Sequence, residues 1–301
     1  MKRVSDALKR ATEDGVYPFI DLDGDAKPGV KAPITTDTDV KENEGIAATV
    51  TESSNQLKPS LGKRMQRLLF GWGLGGIKEF PLVTDDVESP AGNQYRILRE
   101  HIKRICNQEG GRSLAIMSPA KGDGKTTISA NLAVVMSLDF NKQVLLIDAD
   151  LRGPTIHNYF GLNSIPGLAD YISFEPGRDL ISCVQSAPIR GLKILPAGKP
   201  TNYSSEILAT KRAKALLTEI SAKFPDHQII VDTPPILSGP DSLILAEQVD
   251  NIVMVVRADV TDRNSVSAAL KLINSDKVKG VIFNGAEPAI ASKYYHYSRS
   301  T

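Results

Sequence analysis

The 301 residues predict an α/β fold, a mostly parallel β-sheet flanked by helices, on three observations. First, apolar runs at 114–117, 144–147, 229–231, 252–256 and 278–283 are short and continuous rather than alternating, as in strands buried on both faces. Second, helix-compatible segments separate them, among them 128–138, 211–222 and 262–274. Third, a Gly-rich turn joins the first run directly to a helix. In such sheets ligands gather at the carboxyl ends of the strands.

In chain order, residues 1–20 predict a short amphipathic helix, with Val4, Ala7, Leu8 and Ala11 at helical spacing among charged residues. Residues 21–88 predict a disordered linker, because Asp, Thr, Pro, Gly, Ser and Lys leave too little apolar surface to offset the entropy of ordering. Within it, segment 61–77 sets Lys63, Arg64 and Arg67 before Leu68-Leu69-Phe70-Gly71-Trp72, which either touches a membrane or folds back on the core. Residues 89–290 predict the folded domain, entered by a helix with Tyr95, Leu98, Ile102 and Ile105 on one face. Residues 291–301 predict a flexible tail.

Composition narrows the classes. Apolar residues make up 41%, enough for a sizeable core, and 36 Lys and Arg balance 35 Asp and Glu, which gives no global charge for nucleic acid. Two cysteines, Cys106 and Cys183, stand outside any metal-ligand spacing and fit a reducing cytoplasm. The first residues lack the apolar core of a secretory signal, and no window reaches the ~18 apolar residues of a membrane span.

The Gly-rich turn is Ser118-Pro119-Ala120-Lys121-Gly122-Asp123-Gly124-Lys125-Thr126-Thr127. Strand, turn and helix N-terminus together aim backbone N–H groups at phosphate, with Lys125 reaching terminal phosphates and Thr126 ligating Mg²⁺. Pro119 stands where such a P-loop usually has its first glycine. Downstream, Ile147-Asp148-Ala149-Asp150-Leu151-Arg152 brings two acids to a strand end. In extended chain they face the same way, so both converge on one metal–phosphate site if extension persists; otherwise they are solvated loop acids. Val231-Asp232-Thr233-Pro234-Pro235 repeats the strand-end acid, where P-loop enzymes hold Mg²⁺. Asn284 follows the last strand, to read an adenine edge or simply to form a turn.

This ordered set resembles the cytoplasmic catalytic domain of bacterial tyrosine autokinases, P-loop kinases of capsule and exopolysaccharide synthesis, over residues 89–297. The resemblance implies a Walker A loop from Ser118 to Thr126, an A-prime motif at Asp148, Asp150 and Arg152, and a Walker B motif at Asp232. It implies Mg-ATP as cofactor, bound by Ala120 to Thr127, Arg152 and Asn284, with the metal on Thr126, Asp150 and Asp232. Catalysis falls to Lys125, Asp148, Asp150 and Asp232. Asp148 is the candidate to accept the tyrosine proton, and exchange of that role with Asp150 stays open.

Three tyrosines, Tyr294, Tyr295 and Tyr297, crowd the tail as candidate phosphoryl acceptors, or else as a packed C-terminal lid. Similar enzymes form rings and label a neighbour's tail; self-association, a membrane-bound polysaccharide co-polymerase as activator and a tyrosine phosphatase are the implied partners. They place the chain in the cytoplasm, recruited to the inner face of the membrane. One departure is Asn93 where the family's ring-forming helix carries Glu before Arg96 and Arg99. A partition- or division-site ATPase, the nearest alternative, carries a signature Lys five residues before the P-loop Lys, where this chain has Ala120. A catalytically weak nucleotide-binding scaffold is the other alternative.

Overall fold

The computed structural model describes residues 19–21, 82, 90–109, 111–139, 142–173 and 179–286. Its elements are β1 (Phe19–Asp21), α1 (Pro90–Glu109), β2 (Ser113–Met117), α2 (Lys125–Ser137), β3 (Gln143–Asp148), α3 (Ile156–Tyr159) and α4 (Leu168–Ser173). They continue with β4 (Gln185–Ser186), β5 (Leu192–Leu195), α5 (Ser204–Leu208), α6 (Lys211–Lys223) and β6 (His227–Asp232). The last are α7 (Asp241–Gln248), β7 (Asn251–Arg257), α8 (Arg263–Leu272) and β8 (Val278–Asn284). The expected strands and long helices form where periodicity places them, and β1, β4 and β5 are additional.

The eight strands of the described residues join one sheet in the order β1-β8-β7-β2-β6-β3-β5-β4. Pairing is parallel from β8 through β5, with the two short edge strands β1 and β4 antiparallel. Period-two alternation then sorts each buried strand into two cores. Leu114, Ile116, Val144, Leu146, Val253 and Val255 pack with Ile102 of α1 and Leu132 of α2 on one face. Ala115, Met117, Leu145, Ile147, Ile252 and Met254 pack with Ile220 of α6, Leu245 of α7 and Ala269 of α8 on the other. This is why their sequence runs are continuously apolar. Both faces are covered, which gives three layers.

Asp21 and Phe19 depart from expectation. The helix expected over 1–20 and the linker beginning at 21 meet in β1, whose Phe19, Ile20 and Asp21 stand opposite Ile282, Val281 and Gly280. Three residues are too few for a periodicity to register. The rest of the 1–20 helix, segment 61–77 and the tail tyrosines lie outside the described residues.

The order also makes a switch point. From β2 the chain runs through α2 to β3, and returns later to β7 on β2's other side, with β6 completing the centre. The turn after β2 therefore opens at the crevice where strand order reverses, the place such sheets bind ligands.

Candidate active site

The turn after β2 has the backbone of a phosphate cradle. Gly122 and Gly124 take φ of 93° and 95°, left-handed values that a side chain would strain, and Gly124 caps α2. Successive N–H groups in such a turn form an anion nest that continues into the helix N-terminus. Lys125 opens α2 and is 93% buried, at 7% exposure, without an ion pair among the described residues. Burial lowers its pKa, against the opposing pull of Asp232, Asp150 and Asp123. A buried cation of this kind is a place prepared for an anion.

Asp232 ends β6 beside β2, with register Asp148↔Asp232 across to β3 and Ile116↔Asp232 across to β2. It is 1% exposed. Thr126 Oγ1 donates to its Oδ2 at 2.8 Å, and Ser129 Oγ donates to its Oδ1 at 2.8 Å. Burial nevertheless pushes its pKa up to about 6, outweighing Lys125 and the two hydroxyls. The carboxylate is thus left short of positive charge, next to a threonine suited to the same cation. Among the described residues no group of three or more His, Cys, Asp or Glu is placed to hold a metal alone. A divalent ion here fits a mixed set of Thr126, Asp232 and phosphate oxygens, the usual ligand chemistry of Mg²⁺.

The two A-prime acids separate. Asp148 is fully buried: its Oδ2 accepts the N–H of Thr155 at 3.1 Å and Ile156 at 3.0 Å, and its Oδ1 accepts the N–H of Asp150 at 3.2 Å. Burial first, then the charge of Asp232, raises its pKa well above the carboxylate range. Asp150 is half-buried and accepts the Gly153 N–H at 3.0 Å. Extension ends at Asp148, so strand spacing does not set the direction of Asp150.

A model of the CobQ/CobB/MinD/ParA nucleotide binding domain matches residues 114–295. Tyrosine-protein kinase YwqD of Bacillus subtilis is 32% identical over 243 residues, which cover 80% of this chain and 95% of that protein. The chain belongs to the bacterial tyrosine-protein kinase family. Putative tyrosine-protein kinase EpsB of Ralstonia nicotianae is 27% identical, across 85% of this chain but only 33% of its own length. Among solved structures, the kinase domain of Escherichia coli tyrosine kinase ETK superposes with a TM-score of 0.63 at 27% identity, covering 73% of this chain and 84% of that one.

Against the family's motifs, Lys125, Thr126, Asp148, Asp150 and Asp232 come together at one sheet edge. Arg152 is tied to Asp241 and its two serines. Its Nε donates to Asp241 Oδ2 at 3.0 Å and Ser204 Oγ at 2.8 Å, and its Nη2 to Ser205 Oγ at 3.2 Å. Ser204 and Ser205 also donate to Asp241, at 2.6 Å and 2.5 Å. Of the other loop residues, Lys121 is exposed, and Ala120 N–H donates to Asp123 Oδ2 at 2.9 Å. Thr127 Oγ1 pairs with Tyr159 at 2.8 Å. Asn284 donates its Nδ2 to the Asp123 carbonyl at 2.8 Å.

Sequence reasoning missed Ser129, Arg257 and Thr261. Ser129 stands four residues after Lys125, so an inward-facing serine on the first turns of the P-loop helix was a readable signal. Arg257 and Thr261 lie some 135 residues beyond the loop they contact, and nothing local announces them.

No helix among the described residues is long and apolar enough to cross a membrane.

Proposed function

We propose that this chain is an ATP-dependent protein-tyrosine autokinase, labelling Tyr294, Tyr295 and Tyr297 of a second copy in regulation of exopolysaccharide synthesis, chain length or export. The observation that carries the reading is the convergence of buried Lys125, Thr126 and charge-starved Asp232 on one strand–loop–helix junction. The family relationship to named tyrosine-protein kinases supports the acceptor, since the fold alone also suits plain ATP hydrolysis.

Phosphoryl transfer asks a protein for alignment and for charge neutralisation rather than covalent chemistry. Mg-ATP supplies the phosphoryl group and a cation that shields its oxygens. Lys125 and the Gly122–Thr126 amides would hold the nucleotide's phosphates, and Thr126, Asp232 and Asp150 would hold the metal or its waters. An incoming tyrosine hydroxyl forms the new bond to the γ-phosphorus as the bond to the β–γ bridging oxygen breaks, and ADP leaves. The phenolic proton passes to an A-prime carboxylate. Burial and three backbone donors on Asp148 favour Asp150 for that contact, with Asp148 shaping the loop that carries it. A membrane-bound activator, self-association and a phosphatase complete the reading.

Incubation of the purified full chain with labelled ATP and Mg²⁺ tests it, reading phosphotyrosine and inorganic phosphate together. Wild type is expected to gain phosphotyrosine and Lys125→Met to lose it by on the order of a hundredfold or more. Replacing Tyr294, Tyr295 and Tyr297 by Phe should remove most of the label. Phosphate release without phosphotyrosine would instead make it a partition-type ATPase, and nucleotide binding without either would make it a scaffold.

A further inference from the structure

An anion nest has two sides. When successive N–H groups of a loop point inward at phosphate, the carbonyls between them point outward and must find donors elsewhere or stay unsatisfied. At the start of the loop the Ser118 and Pro119 carbonyls accept the N–H groups of Ile236 and Leu237, while the partners of the Gly122 and Asp123 carbonyls come from the ends of β7 and β8. Arg257 Nη1 donates to the Gly122 carbonyl at 3.1 Å, and Asn284 Nδ2 donates to the Asp123 carbonyl at 2.8 Å. Thr261 Oγ1 donates to Asp123 Oδ1 at 2.7 Å while accepting Arg257 N–H at 3.0 Å, so both hydrogen-bonding directions of the hydroxyl are fixed. Ala258 N–H donates to the Asn284 carbonyl at 2.9 Å and ties the two strand ends together.

Asp123 is the receiving part. It is 2% exposed although it sits in the middle of the loop, with Oδ2 bonded to Ala120 N–H and Oδ1 to Thr261. Both oxygens of the carboxylate are thus pinned, one inside the loop and one to the segment after β7. Asn284 also stands hard against Gly124: a Cβ there would lie 2.0 Å from Asn284 Nδ2. The left-handed Gly124 and the asparagine thus leave no room for a side chain at position 124. On the far side of the latch, residue 259 takes φ of 58° as Asp, and Val260 is 68% exposed.

We propose that Thr261, Arg257 and Asn284 are positioning residues that latch the phosphate loop in its anion-binding form through Asp123 and the Gly122 and Asp123 carbonyls. The inference rests on the nucleotide-binding part of the proposed function and concerns affinity for phosphate rather than the transfer step. Thr261 is the informative position, because Val keeps its shape and removes only the hydroxyl, whereas Ser keeps the hydroxyl.

Calorimetric titration of the full chain with Mg-ADP tests this without requiring kinase activity, alongside ATP kinetics and thermal melts of nucleotide-free protein. Thr261→Val should weaken Mg-ADP binding about tenfold and raise KM for ATP in step, with kcat changed less than about threefold. Thr261→Ser should bind within about twofold of wild type, and the nucleotide-free melting temperatures of all three should agree within a few degrees. Equal affinity of Thr261→Val and wild type would overturn the latch while leaving the proposed function standing. Equal loss in Val and Ser variants would likewise overturn it, by showing that the hydroxyl is not what matters. A wild type that binds no Mg-ADP would overturn the proposed function and the latch with it.

Discussion

Asp232 and Asp241 are both aspartates buried to within a few per cent, and each accepts two hydroxyl donors, yet they are electrostatic opposites. At Asp241 burial pushes the pKa up, but Ser204, Ser205 and the Arg152 guanidinium outweigh it and hold the carboxyl below its usual range. At Asp232 the nearest cation, Lys125, forms no ion pair, and burial wins, pushing the pKa up to about 6. One carboxylate is satisfied and ties three segments together. The other is held, above about pH 6, in an unfavourable charged state that an added cation relieves, a pattern that clusters at working sites.

The difference can be broken most completely by Asp232→Asn. Phosphotyrosine formation should fall by on the order of a hundredfold or more. Nucleotide-free protein at pH 7.5 should be as stable as wild type or more stable, by on the order of 1 kcal/mol, because an undercompensated buried charge is gone. Asp241→Ala should do the reverse in chemical denaturation. It should cost about 2 kcal/mol or more of stability, since Arg152, Ser204 and Ser205 lose their common acceptor. A matching stability loss in both variants would remove the distinction.

The A-prime pair offers a second contrast of smaller size. Asp148→Ala removes the acceptor of three backbone N–H groups and should lower stability by about 2 kcal/mol as well as activity. Asp150→Ala should leave the denaturation midpoint near wild type while lowering kcat. Loss of activity in Asp148→Ala with unchanged stability would return the proton-accepting role to Asp148.

The smallest effect is in the pH profile. Asp232 has its folded pKa raised above its unfolded value, so the native state binds the extra proton between about 4 and about 6. Its contribution to the stability of nucleotide-free protein is therefore full below that window and is lost as pH rises through about 6. Metal binding runs the other way, needing the ionised carboxylate and failing as pH falls through about 6. Melting curves from pH 4 to 8, with and without Mg-ADP, should show the nucleotide-dependent gain growing across pH 6, and Asp232→Asn should flatten it.

These contrasts separate what local sequence reveals from what it hides. The layered sheet was legible because burial on both faces writes continuous apolar runs at β2, β3, β6, β7 and β8. Short edge strands escaped, since Gln185–Ser186 and Phe19–Asp21 have too few residues for a period to show. At the site, the convergence of Lys125, Thr126 and Asp232 was legible because all three stand at or just after the ends of neighbouring strands. The pairing of Arg152 with Asp241 was not legible, because its partner is 89 residues away.

By itself, then, the sequence determined the fold class, the phosphate loop and the order of the acidic strand ends, all set by spacing within a dozen or so residues. Tertiary structure alone decided which acid is compensated and which is not, that Asp148 is consumed by backbone amides, and that Thr261 and Asn284 reach back over more than 130 residues to Asp123. The physical reason is common to all of these. A carboxylate's charge state depends on what surrounds it in three dimensions, and here its neighbours were brought by strands pairing out of sequence order around β2.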